Sequence, residues 1–172
     1  MTTKKSNAHK PDKRLAAVCG LFCPACTIFI ATQEDPERRE KLAASKGWPV
    51  EQIHCDGCRA EKRYYYCETC EMFACAAEKG IDFCGECEVH PCDALKAFQV
   101  ARPHRLELWD AQARIQEVGY EQWFEEMLAH YRCPKCGTLN SAYDLSCRTC
   151  GAHPSCAYVA LHEQEILEYL EK

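Results

Sequence analysis

The clearest periodicity in the chain lies between residues 93 and 131. Leu108, Ala111, Ile115 and Val118 recur at helical spacing, and beyond Gly119 the residues Tyr120, Trp123, Phe124, Met127, Leu128 and Tyr131 fall at i, i+3, i+4, i+7, i+8 and i+11. This pattern predicts two helices separated by a glycine stop, the second with a strongly apolar face expected to pack against another element of the same chain. The acidic run over residues 117–126 reads as its solvated face. Upstream, Asp93 is placed to cap a helix through Val100, and Pro103 interrupts it. Nearer the start, Asp35 and Pro36 supply an N-cap and a first-turn proline, residues 38–45 favour helix, and Gly47 with Pro49 ends it. Residues 27–31 are apolar on all sides, and their place between Cys26 and that helix favours helix over strand. Residues 163–170, with Ile166, Leu167 and Leu170, predict a last helix. The first 14 residues have no apolar periodicity and carry Lys4, Lys5, Lys10, Lys13 and Arg14 against Asp12, which reads as a mobile basic tail.

Composition changes what holds these elements together. Leu, Ile, Val and Phe make up only about 17% of the 172 residues, too little for an ordinary core of this length. The net charge of -5 and the aromatic fraction of 10% argue against a disordered chain. The 16 cysteines close the gap, reaching the density at which cross-links or metals replace apolar burial. No apolar run is long enough to span a membrane, and the first 18 residues lack a secretory leader, so the expected setting is the cytoplasm. In a reducing compartment these thiols are expected to be metal ligands rather than disulfides.

Their distribution marks modules. Eleven lie between Cys19 and Cys92, none over residues 93–132, and five from Cys133 to Cys156. The division that follows is a flexible basic tail (1–14), a Cys-rich metal-binding module (15–98), an amphipathic helical connector (99–131), a zinc ribbon (132–156) and a C-terminal helix (157–172). The fold class expected is small, metal-stabilised and mostly α, with irregular Cys-rich loops and short β-hairpins in the ribbon.

The ribbon carries the strongest signal. Cys133-Pro-Lys-Cys136-Gly and Cys147-Arg-Thr-Cys150-Gly are two Cys-x-x-Cys-Gly knuckles. Two intervening residues let both sulfurs of a knuckle reach one ion at about 2.3 Å, and the following glycine takes the positive φ of the tight turn. Four thiolates close a tetrahedral site and leave no open position, which points to structural zinc; iron in the same thiolates, as in rubredoxin, is the redox alternative. Cys156 is surplus to the tetrad and reads as a small buried side chain.

In the first module the ligand candidates are Cys19, Cys23 and Cys26, then Cys55 and Cys58, then Cys70 and Cys75, then Cys84, Cys87 and Cys92. Cys67-x2-Cys70-x4-Cys75 and Cys84-x2-Cys87-x4-Cys92 share one spacing at an offset of 17 residues, the mark of a duplicated knuckle. Eleven thiols make two four-thiolate sites with three left over, or up to three sites if His54 and His90 join; the sequence does not choose. Zinc here, or a [4Fe-4S] cluster drawing on Cys19, Cys23 and Cys26, both satisfy the ligand chemistry. The spacing Cys19-x3-Cys23-x2-Cys26 is also that of radical S-adenosylmethionine enzymes, but the chain has no room for the large barrel such chemistry needs.

Cys19-Gly-Leu-Phe-Cys23-x-x-Cys26, Cys55-x-Gly-Cys58, Cys70-x4-Cys75-Ala-x-Glu-Lys-Gly-Ile and Phe83-Cys84-x-x-Cys87-x3-Pro91-Cys92-x-x-Leu95 resemble the Cys-rich family catalogued as domain of unknown function 3795. The likeness covers roughly residues 15–98, and Cys67 has no place in it. It implies a small metal-binding module of the kind common in anaerobic bacteria and archaea, in a family with no established activity.

No phosphate-binding glycine loop, nucleophile elbow or His-Glu-x-x-His occurs, so a non-enzymatic role is expected. Residues 131–156 hold three cations, Arg132, Lys135 and Arg148, against Asp144, too small an excess for counterion-driven nucleic-acid binding. The reading is a metal-binding accessory protein that presents a surface to a protein partner. An iron-sulfur redox accessory and a nucleic-acid-binding ribbon are the alternatives, and the oligomeric state is open.

Overall fold

The computed structural model describes residues 10–172. They form seven α-helices: α1 (Thr27–Gln33), α2 (Pro36–Lys46), α3 (Tyr65–Glu68), α4 (Glu71–Lys79), α5 (Asp93–Val100), α6 (Leu108–Tyr131) and α7 (Ala157–Leu170), joined by short 3₁₀ turns and irregular loops. Residues 1–9 of the expected tail lie outside the described residues. Its remainder enters a 3₁₀ turn at Lys13–Leu15, capped by Asp12, whose carboxylate accepts from the Arg14 N–H at 2.9 Å; Lys13 pairs with Asp82.

Local signals act where the chemistry places them. The Asp35 carboxylate caps α2 by accepting from the Arg38 N–H at 3.0 Å, and Gly47 ends it in the left-handed region at φ 65°. Residues 27–31 lie in α1, so the all-apolar run is helical. Gly119 breaks α6 with φ 82° and ψ 161°, dividing it where the periodicity resets. Two boundaries differ from expectation. Cys92 holds the N-cap position of α5, with Asp93 inside the first turn, and α7 starts at Ala157 and bends at His162.

The C-terminal β-hairpins do not form. Among the described residues there is no strand, only isolated antiparallel bridges, Ala16 with Phe22 and Arg132 with Leu139. The physical reason lies in side chains that occupy the backbone groups a ladder would use. Arg148 Nε donates to the Leu139 carbonyl at 2.9 Å, Asn140 Oδ1 accepts from the Arg148 N–H at 3.1 Å, and Asn140 Nδ2 donates to the Ser155 carbonyl at 3.2 Å.

The main core gathers Leu15, Phe22, Phe29 and Phe83 from the first half with Ile115, Trp123, Phe124 and Tyr131 of α6 and Tyr158, Val159 and Ile166 of α7. Phe22 meets Phe124 edge-on at 4.9 Å and stacks on Tyr131 at 5.9 Å, and Tyr131 stacks in turn on Tyr158 at 5.1 Å. The apolar face of the second half of α6 is therefore covered from within the chain. A second cluster packs Leu95 of α5 and Leu108 of α6 against Ala17 and Cys19, with Cys58 and Cys84 at its margin. Here α6 holds the thiol-bearing turns. The buried Gln112 amide donates to the Cys19 carbonyl at 2.6 Å, and Gln116 donates to the Gly85 carbonyl. A Cβ at Gly20, which sits at φ +92°, would lie 2.9 Å from Gln112 Cγ, so only glycine lets this loop close on the helix.

Glu107, just before α6, joins both halves of that helix to α7. His130 Nε2 approaches one carboxylate oxygen at 2.9 Å and His162 Nε2 the other at 2.8 Å. Burial pushes the Glu107 carboxyl up, but hydrogen bonds from the two imidazoles outweigh it and hold it below its ordinary value. A carboxylate with a depressed folded pKa contributes stability above its unfolded pKa and loses it as pH falls through the folded value. Thermal midpoints of wild type and Glu107→Gln are thus expected to converge as pH falls from about 4.3, the unfolded value for Glu, downward. A constant gap between the two curves would contradict the clamp.

Candidate metal centre

The two C-terminal knuckles have the same local geometry because they have the same local sequence. The Gly137 N–H donates to the Cys133 carbonyl and the Gly151 N–H to the Cys147 carbonyl, both at 2.9 Å; the Cys133 N–H donates to Thr138 and the Cys147 N–H to Ala152, both at 2.8 Å. Gly137 and Gly151 take φ values of 76° and 70°, which the turn requires. Facing each other, the knuckles place Cys133 Sγ 3.7 Å from Cys150 Sγ and Cys136 Sγ 3.6 Å from Cys147 Sγ, with all four sulfurs within 4.8 Å of one another. Four bonds of about 2.3 Å to one tetrahedral ion imply sulfur–sulfur edges of about 3.8 Å, so this donor set fits a single zinc or iron ion.

The electrostatics lower two of these thiols, Cys136 and Cys147, whereas the N–H of Ala152 fails to offset burial and the neighbouring sulfurs at Cys150, which is pushed up to about 11. Cys136 Sγ lies 3.2 Å from Thr138 Oγ1, and that contact lowers its pKa. Burial raises the Cys147 thiol, but the N–H groups of Cys150 and Thr149 more than offset this and bring it down to about 6. Cys133 and Cys147 are buried, whereas Cys136 and Cys150 face solvent.

Asn140, missed by sequence reasoning, is the residue that joins the knuckles. It is completely buried, its Nδ2 donates to the Thr138 carbonyl at 3.0 Å, and its Oδ1 accepts from the second knuckle at Arg148. Only its position between the knuckles could have hinted at this. The unit is then tied to the first module: Arg38 of α2 pairs with Asp144 at 2.7 Å, and Arg148 pairs with Glu34. Cys156 is buried beside the Ser155 hydroxyl, outside the tetrad.

The first-module cysteines are brought near one another less tightly. Burial raises the Cys19 thiol, and the thiols of Cys58, Cys70 and Cys84 add to it. Cys23 is raised by burial and then by Cys58, Cys26 and Cys55. Cys67 is pushed up to about 12 by burial, then by Cys55, Cys26, Cys58 and Cys70, which places it among the ligand candidates in space although the family resemblance gave it no role. Cys84 is likewise pushed up to about 12 by burial, then by Cys92, Cys75, Cys70 and Cys87. All are free thiols. The Cys55 sulfur accepts from the Gly57 N–H at 3.4 Å, the hydrogen bond of a metal knuckle. Of the two histidines considered, His54 is engaged by Asp56 at 2.9 Å, whereas His90 keeps a buried Nδ1 with no hydrogen-bond partner.

Among the described residues, no helix is long and apolar enough to cross a membrane. Residues 15–97 match the model of a family described as protein of unknown function (DUF3795), and the two C-terminal knuckles lie outside that match. No curated protein and no solved structure matches the chain.

Proposed function

We propose, taking the family match over residues 15–97 as premise, that this is a metal-binding accessory protein whose C-terminal tetrad holds one structural zinc ion. The observation that carries the reading is the pair of sulfur–sulfur separations, 3.6 and 3.7 Å, close to the edge of a zinc–thiolate tetrahedron. Four protein sulfurs fill the coordination sphere, so the ion would act on the fold and not on a substrate. It would fix residues 133–150 between α6 and α7 and, through Arg38 and Arg148, against α1 and α2. The protein would act without catalysis, through a protein partner. Tyr65 and Tyr66, each about half exposed, and the adjoining Trp48 and Tyr64 rings supply aromatic surface of the kind enriched at interfaces. Removing metal with a strong chelator is expected to abolish the near-ultraviolet circular dichroism of the Tyr131 and Tyr158 stack, and added zinc should restore it. An unchanged spectrum in metal-free protein would end this reading; a coloured protein holding iron in the tetrad would replace zinc by a rubredoxin-like ion.

A further inference from the structure

A hollow of about 240 Å³, partly open to solvent, lies between α4 and α5, and Cys75, Cys84, Cys87 and Cys92 all line it. Its remaining wall is largely apolar, with Met72, Ile81 and Leu95. Its volume alone calls for no ligand, since solvent reaches it. A single ion does not fit. The C-terminal tetrad draws its sulfurs within 4.8 Å of one another, and among the described residues no other set of three or more ligand atoms is drawn that close. A cubane places four iron and four sulfide atoms between its thiolates, so it needs both the wider spacing and the void.

Two further groups point into this chemistry. His90 lines the cavity with its Nδ1 buried and unpartnered, an unpaired polar atom that calls for a ligand. A cluster sulfide would accept its N–H; in the other tautomer the same nitrogen would ligate a lone zinc, and the sulfide count separates the two. Lys79 donates to Cys87 Sγ at 3.2 Å, placing a cation where four thiolates around a cluster core of charge +2 leave two negative charges.

We propose that Cys75, Cys84, Cys87 and Cys92 hold a [4Fe-4S] cluster in this cavity, with His90 donating a hydrogen bond to it. The assignment uses one half of the duplicated knuckle whole, Cys84-x2-Cys87-x4-Cys92, and adds Cys75 from the other. It does not depend on zinc in the C-terminal tetrad.

Anaerobic reconstitution of the full chain with equal ferrous and ferric iron and sulfide, the composition of a core of charge +2, tests it. Wild type is expected to develop an absorption band near 400 nm, and C75S/C92S to take up about four fewer iron and about four fewer sulfide per chain. C75S/C92S is expected to keep the zinc of the C-terminal tetrad while losing that uptake, which separates failure of this proposal from failure of the zinc reading. His90→Ala leaves all four thiols, and should retain the iron while its cluster shifts to a more negative reduction potential, because a hydrogen bond to sulfur is lost. This variant keeps the proposal testable if the double serine variant does not fold. Equal iron and sulfide uptake by wild type and folded C75S/C92S, zinc in the site without sulfide, or an unchanged potential in His90→Ala would overturn it.

Discussion

Cys136→Ser is expected to lose the C-terminal ion and, with it, most of the stability of the segment around it. Cys136 is exposed, so replacing its sulfur by oxygen removes little packing, and a large effect must pass through the metal. Structural zinc contributes about 10 to 16 kcal/mol in apparent binding. A whole small domain is stable by about 5 to 15 kcal/mol. Thermal unfolding should therefore show C136S well below wild type in zinc-containing buffer, whereas strong chelator should bring the two together. A small difference, within about 0.5 kcal/mol as for ordinary surface substitutions, would mean that the sulfur is not a ligand.

Phe124→Ala should cost about 3 to 5 kcal/mol, the range for emptying a buried aromatic site. Phe124 has no exposure and meets Phe22 at 4.9 Å, in a core that also contains Leu15, Phe83, Tyr158 and Ile166. Because one core runs from the family-matched segment through α6 into α7, the loss should appear as a shift of a single transition in urea with its slope unchanged. Two separated transitions, only one of them moved, would show that the segments fold independently.

What the sequence revealed follows from the range of each interaction. Asp35 and Gly47 bound α2, Gly119 breaks α6, and each Cys-x-x-Cys-Gly knuckle closes on itself, because cap, glycine turn and N–H to carbonyl bond are decided within a few residues. The hairpins failed to form for a reason invisible at that range. Asn140 and Arg148 divert the carbonyls of Leu139 and Ser155, and nothing in their identities announces it. The Glu107 clamp is equally silent in sequence, since His130 and His162 lie 23 and 55 residues away. Apportioning the first-module thiols was open for the same reason. Spacing pairs Cys67 with Cys70 and Cys84 with Cys87, but only the packing of α4 and α5 brings Cys75 beside Cys84 and leaves Cys67 toward Cys55 and Cys26.

The most direct test of a structural ion at Cys133, Cys136, Cys147 and Cys150 is a metal count on anaerobically purified protein, wild type beside C136S, by inductively coupled plasma mass spectrometry. About one zinc per chain fewer is expected in the variant, with every other metal unchanged. Identical zinc content in the two proteins would contradict it.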